Sequence, residues 1–192
     1  MTDPVEDGEI RVWDPFLRVF HWSLASLIGL AWLTEDGPKS LHEGAGYVIV
    51  ALLAARLVWG FVGPKHARFS DFLRGPGVVL AHLHDLARGR ERRYLGHNPA
   101  GGWMIVALIV TISATALTGW LQTTDRFWGS TMMEETHECF ASLILVLLAG
   151  HLCGVLVESL HHRENLVRAM ITGRKRPLPP LGSDAHPEGG AQ

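Results

Sequence analysis

Charge is what this chain has least of. Of its 192 residues only 19% are Asp, Glu, Lys or Arg, against about a quarter in an ordinary soluble protein. The shortage is uneven, and Gly101 to Thr124 carries no charged residue at all. Cysteine is nearly absent too. The only two, Cys139 and Cys153, lie roughly 21 Å apart along a helix, too far to bridge each other. A disulfide framework is therefore excluded, and both read as small packing residues. There is no internal repeat. The N-terminal MTDPVEDGE is acidic, and no small-residue cleavage site follows the first apolar run, which argues against a signal peptide.

What is abundant is apolar surface, with 47% hydrophobic residues and a mean hydropathy of +0.16. Four stretches stand out: Val19 to Thr34, Gly44 to Gly63 (interrupted by Arg56), Gly101 to Thr124, and Cys139 to Val157. A bilayer core of about 30 Å needs roughly 20 helical residues. The expected fold is all-α: an integral membrane four-helix up-down bundle with helices over about 15–34, 42–63, 101–124 and 134–162. One domain covers 11–176, and the polar ends 1–10 and 177–192 are expected to be disordered. Asp14 and Pro15 suit the cap and first turn of the first helix, and Thr131 with Glu134 has capping-box spacing before the fourth. GPGVVLAHLHDLARGRERR suits a short amphipathic helix on the membrane surface. GHNPAGG reads as a tight turn into the third span, and ENLVRAMITGRKR as a basic surface helix.

Orientation follows from the cations. One side takes Arg11, Arg18, Lys65, Arg68, Arg74, Arg88, Arg90, Arg92, Arg93, Arg163, Arg168, Arg174, Lys175 and Arg176, and the other only Lys39 and Arg126. Both termini are thus assigned to the cytoplasm and the protein to a bacterial inner membrane. The cationic loop suits anionic lipid head groups, with no need of nucleic acid.

The eleven histidines sort by depth. His66, His82, His84, His161, His162 and His186 fall in cytoplasmic segments and are expected to be solvated. The other four of interest sit at the ends of spans: His21 and His151 at the inner (cytoplasmic) level, His42 and His137 at the outer level. The fourth helix supplies one at each level, fourteen residues apart, which is about 3.9 turns and so nearly the same face. Ionisable groups inside spans usually face the bundle interior and serve function. Two imidazoles with no thiolate or carboxylate beside them make a poor zinc site. They make a good axial pair for haem iron, and ligation on both faces suits electron transfer. Gly46, Gly150 and Gly154 leave room for a macrocycle. Arg56, fourteen residues after His42, either pairs with a haem propionate or snorkels to the cytoplasm.

Together VWDPFLRVFHW, LHEGAGY, GHNPAGGWM, THECFASLILVLLAGH and SLHHRENLVRAMITGRKR resemble the bacterial cytochrome b561 group and the hydrogenase-type and formate-dehydrogenase-type cytochrome b subunits, over residues 11–176. The resemblance implies two haem b groups, an inner one held by His21 and His151 and an outer one by His42 and His137. It also implies electron exchange with the quinone pool, with His97, Asn98 and the surroundings of His151 as candidates for the quinone site. The expected function is electron transfer between quinone and a periplasmic partner, either a c-type cytochrome or a hydrogenase-like enzyme. One alternative is a superoxide oxidase reducing ubiquinone, disfavoured because only Lys39 and Arg126 could steer the anion. Another, of a different class, is a non-redox small transporter or assembly factor.

Overall fold

A computed structural model describes residues 8–90 and 92–178. In chain order the elements are β1 (Ile10–Arg11), α1 (Pro15–Leu33), α2 (Lys39–Val62), a 3-10 turn (Lys65–Ala67), α3 (Phe69–Phe72), α4 (Pro76–Ala87), α5 (Pro99–Gln122), α6 (Thr131–His161), α7 (Leu166–Thr172) and β2 (Arg174–Lys175). Helices α1, α2, α5 and α6 are long and apolar enough to cross a membrane, giving the all-α, four-helix membrane architecture.

The helix starts follow local chemistry. Asp14 caps α1 by accepting a hydrogen bond from the Leu17 backbone N–H at 3.1 Å, and Pro15 opens the first turn. Asn98 does the same for α5, accepting from Gly101 N–H at 2.6 Å ahead of Pro99. Helix α2 begins at Lys39, directly after Pro38, three residues before the expected start at 42. The expected capping box of α6 does not form. Ser130 occupies the cap position without a side-chain bond, and Thr131 is already inside the first turn, so its hydroxyl cannot cap. At 31 residues α6 is roughly 46 Å long. It therefore overruns a bilayer core of about 30 Å and carries its inner end into the cytoplasmic layer.

The packing is asymmetric. Helix α1 lies along α2, α2 along α5, and α5 along α6, while α6 makes little contact with α1 or α2. At mid-depth Ile49 and Leu53 of α2, Ile112 of α5 and Ile144 of α6 form one buried cluster, with Phe20, Leu24, Leu27 and Ile28 of α1 packed against it. Lipid tails are as apolar as leucine, so shape complementarity and polar contacts, more than removal from water, hold such helices together.

A second core closes the cytoplasmic end. Val12, Trp13 and Leu17 from the N-terminal segment meet Ala67 and Ala169, with Trp59, Leu95 and Met170 around them. β1 and β2 pair antiparallel, Ile10 opposite Lys175 and Arg11 opposite Arg174. The Gly173 carbonyl accepts hydrogen bonds from the N–H groups of Val12 and Trp13 at 2.9 and 3.1 Å. Gly173 has φ +81°, and a Cβ there would come within 2.6 Å of the Trp13 carbonyl oxygen. Only glycine fits both the conformation and the close approach.

Beside this join Glu164 is gripped from three sides. Arg93 Nη2 reaches it at 2.7 Å, the Arg176 N–H at 2.9 Å and Lys175 Nζ at 3.6 Å. Burial pushes the Glu164 carboxyl up, but the hydrogen bonds from Arg93 and Arg176 and the charge of Lys175 overcome it and hold the group below the usual carboxylate range. Burial pushes the Lys175 ammonium down, against the pull of Glu164.

Two expectations need correction here. The ends expected to be disordered are ordered where they meet this join. Ile10 is in β1, and the Pro177 carbonyl accepts from Arg93 Nη1 at 2.8 Å, because the Glu164 cluster and the backbone pairing hold both segments. Residues 1–7 and 179–192 lie outside the described residues. Nor are the cytoplasmic histidines uniformly solvated. His82 is 5% exposed, turned inward from α4 while Val78, Leu80 and Leu83 of that helix face outward. His66 is bonded to Asp71 Oδ2 at 3.2 Å, and His162 is largely covered beside Glu158. His84 and His161 are exposed, and His186 lies outside the described residues.

Candidate functional site

The four span histidines meet in two facing pairs. His21 of α1 and His151 of α6 have ring centroids 6.3 Å apart, and His42 of α2 and His137 of α6 have theirs 6.2 Å apart. A metal–imidazole bond of about 2 Å on each side, plus the two half-rings, gives roughly this spacing. No group of three or more His, Cys, Asp or Glu side chains suited to a metal ion occurs among the described residues. The donor set is therefore two opposed imidazoles at each level, which fits an iron whose other four ligands come from a macrocycle. The helices that carry the facing histidines, α1 with α6 and α2 with α6, are also those that stand apart.

At the outer level the ring nitrogens are oriented by backbone. His42 Nδ1 lies 2.9 Å from the Ala31 carbonyl oxygen, and His137 Nδ1 lies 2.9 Å from that of Thr115. A carbonyl only accepts, so both Nδ1 atoms carry the proton and both Nε2 atoms keep a free lone pair. The Thr118 hydroxyl stands 3.3 Å from His137 Nδ1 and donates to the Ala114 carbonyl, so it is placed as a second acceptor. A cavity of about 930 Å³ surrounds this pair, lined by all four spans from Ala31, Gly46 and Thr115 to Ile144. Gly119, which sequence reasoning missed, borders it: a Cβ there would come within 2.9 Å of the His137 ring. Gly46 and Gly154 face open space, and Gly150 meets only the end of Met104. The rim of the cavity is acidic, with Glu35, Asp36, Glu43, Glu134 and Glu138 against Lys39.

The inner level is built differently. Among the described residues, buried side-chain nitrogens without a hydrogen-bond partner include Arg18 Nε, His21 Nδ1, Arg56 Nη1, His82 Nε2 and His97 Nδ1, and none lies at the outer end. Arg56 does not snorkel. It is 2% exposed, with its guanidinium 4.9 Å over the Phe69 ring. It has no ion pair among the described residues, with Asp14 within electrostatic range. A guanidinium cannot shed its charge, and here it is faced by the Phe69 ring and the more distant Asp14 carboxylate. His97 sits between Trp13 and Phe72, ring centroids 4.6 and 4.9 Å away. Burial first, then the charges of Arg56 and Lys175, push its imidazole down to about 3, so it is neutral at physiological pH. Asn98, besides capping α5, donates through Nδ2 to Glu158 Oε1.

The sequence model of the prokaryotic cytochrome b561 family matches residues 12–173, and the chain belongs to that family. It is accordingly a multi-pass b-type cytochrome of the bacterial inner membrane, an electron-transfer protein that binds haem b. Among curated relatives, a probable Ni/Fe-hydrogenase B-type cytochrome subunit of Rhizobium leguminosarum bv. viciae is 23% identical, over 89% of this chain and 90% of its own length. Proteins of the same description from Azotobacter vinelandii (23% identical, 85% of this chain and 87% of the relative) and Rhodobacter capsulatus (23%, 70% and 61%) also match. No solved structure matches at the same stringency.

Proposed function

We propose that this chain holds two haem b groups, one between His21 and His151 and one between His42 and His137, and passes electrons between a redox partner at the outer face and quinone at the inner end. The observation that carries the proposal is the pair of matched imidazole gaps, 6.3 and 6.2 Å, stacked on one helix. Haem, when bound, supplies one-electron carriage without an open coordination position. The residues do the rest. Ala31 and Thr115 carbonyls fix which nitrogen of His42 and His137 is offered. Ile49, Ile112 and Ile144 keep the two levels apart and dry. Arg56 supplies a buried cation to pair with a propionate of the inner group.

The acidic rim of the outer cavity favours a partner with a cationic face, whether a c-type cytochrome or a hydrogenase-like subunit such as the relatives' names indicate, and it repels an anion such as superoxide. The inner end, where His97, Asn98 and unpartnered donors gather, is the candidate place for a quinone. Pyridine haemochrome assays on wild type, His42→Ala and His151→Ala test the scheme. Two haems in wild type and one in each variant are expected; a single haem in the wild type would overturn the two-level assignment.

A further inference from the structure

Helix α6 presents its inward groups at seven-residue steps, His137, Ile144, His151 and then Glu158. Seven residues are just under two turns, so the four fall on one stripe, and Glu158 lies about 10 Å further toward the cytoplasm than His151. Its carboxylate is not a solvated surface acid, for its side chain is 15% exposed. Three elements converge on it. Asn98, at the cap of α5, donates to Oε1. His162, one turn on along the end of α6, has Nε2 3.4 Å from Oε2. His82, from the surface helix α4, points a buried and unbonded Nε2 at Oε1 from 4.0 Å. Lys175 of β2 adds a positive charge within electrostatic range.

A clamp between helices needs only the Asn98 bond. Two imidazoles beside the same carboxylate add ring nitrogens that can take a proton from it or hand one to it. His82 stands just beyond hydrogen-bond distance, so a small shift of α4 makes or breaks the link. The other face of α4, with His84 and Asp85 more than half exposed, meets water.

Resting on the reading of quinone turnover at the inner end, we propose that Glu158, with His82 and His162, is the proton-exchange group that serves that turnover. Reducing a quinone to a quinol takes two electrons and two protons at its two carbonyl oxygens. The electrons come from the donor at the outer face by way of the two histidine levels, and the protons come from the cytoplasm through His82 or His162 and Glu158. Quinol oxidation runs the same path in reverse, releasing both protons inward.

The test mixes purified haem-loaded protein with a short-chain ubiquinol or menaquinol analogue and follows reduction of the b-band from pH 5.5 to 8.5, in H2O and D2O. The proteins are wild type, Glu158→Gln and His82→Gln, with dithionite reduction as a proton-independent reference. Gln can still accept from Asn98, so the clamp is kept. Glu158→Gln is expected to slow quinol-driven reduction at least tenfold, to flatten its pH profile and to recover part of the rate with added formate as a small weak acid. His82→Gln is expected to slow it several-fold. Haem content and dithionite reduction should match wild type in both. Wild-type rate and pH profile in Glu158→Gln, or a slowed rate that weak acid does not restore, overturns the proton-exchange role and leaves the quinone reading standing. A wild-type protein that neither quinol reduces overturns the quinone reading itself, and this proposal with it.

Discussion

The two ends of the bundle hold the same pair of residues in opposite settings. At the outer end both histidines are tied by Nδ1 to backbone carbonyls, at 2.9 Å each, and the rim is acidic. At the inner end, among the described residues, His21 Nδ1 has no hydrogen-bond partner and Arg56 is buried without an ion pair. Donation from Nδ1 makes an imidazole a stronger electron donor to its metal, whereas a nearby buried cation favours the reduced state of a metal centre. Both differences act in one direction. The outer centre should be the harder to reduce, so an electron delivered at the outer face moves downhill toward the inner end. In the proposed two-haem scheme, identical histidine pairs therefore need not make equivalent centres, because what surrounds each pair differs.

The most damaging way to break this comparison is to close one level alone. Gly119→Val places a branched side chain where even a Cβ would lie 2.9 Å from the His137 ring. Loss of the outer haem is expected, with the inner one kept, and a halved haem-to-protein ratio with one remaining redox wave would show it. The next largest effect concerns stability at the inner end. His97 is held neutral down to about 3, while an unfolded imidazole titrates near 6.5. The unfolded chain thus takes up a proton the folded one refuses, and stability falls as pH drops from about 6.5 toward 3. Glu164 adds to the loss further down. Its folded value is depressed, so its contribution is full above the ordinary carboxylate range and disappears as pH falls through the depressed value. Thermal melts of detergent-solubilised protein should therefore show a midpoint that declines steadily below neutrality, and Glu164→Gln should remove the most acidic part of that decline. The finest effect is on potential. Arg56→Gln is expected to lower the inner midpoint by roughly 60 mV, a tenfold change for a one-electron centre, and to leave the outer one in place. Spectroelectrochemical titration resolves the two, and equal shifts at both would dissolve the contrast.

Much of this was legible from one sequence because a membrane simplifies the grammar. Apolar runs of the right length give the four spans, and fourteen-residue spacing on α6 gives both levels. What escaped depended on how helices are rotated and which loop lies over which end. His82 sits in a segment that reads as amphipathic and cationic, yet its ring turns inward beneath Tyr94, 5.7 Å away centroid to centroid. Gly119 is one glycine among 21, and only its place opposite His137 gives it meaning. Pairing between residues 10–11 and 174–175 joins the two ends of the chain, a contact that no local pattern announces. Glu158 was the avoidable miss: the seven-residue step that links His137, Ile144 and His151 reaches it next. In α2 the same step runs His42, Ile49, Arg56, where the sequence leaves open whether the cation turns inward or snorkels.

The β1–β2 join has a consequence for how the protein is made. Val12 and Trp13 lie before the first span, and the Gly173 carbonyl that accepts their N–H groups follows the last. A ribosome delivers the first segment long before the second, so the N-terminal strand must wait through the insertion of all four spans for its partner. Until then the Trp13 wall of the His97 site has its packing against Leu17, Ala67 and Trp59 but lacks the backbone tie to Gly173. The backbone tie at the cytoplasmic end can thus form only after the last span is made, and a chain cut short before residue 173 would keep its four spans and span histidines but lose that tie.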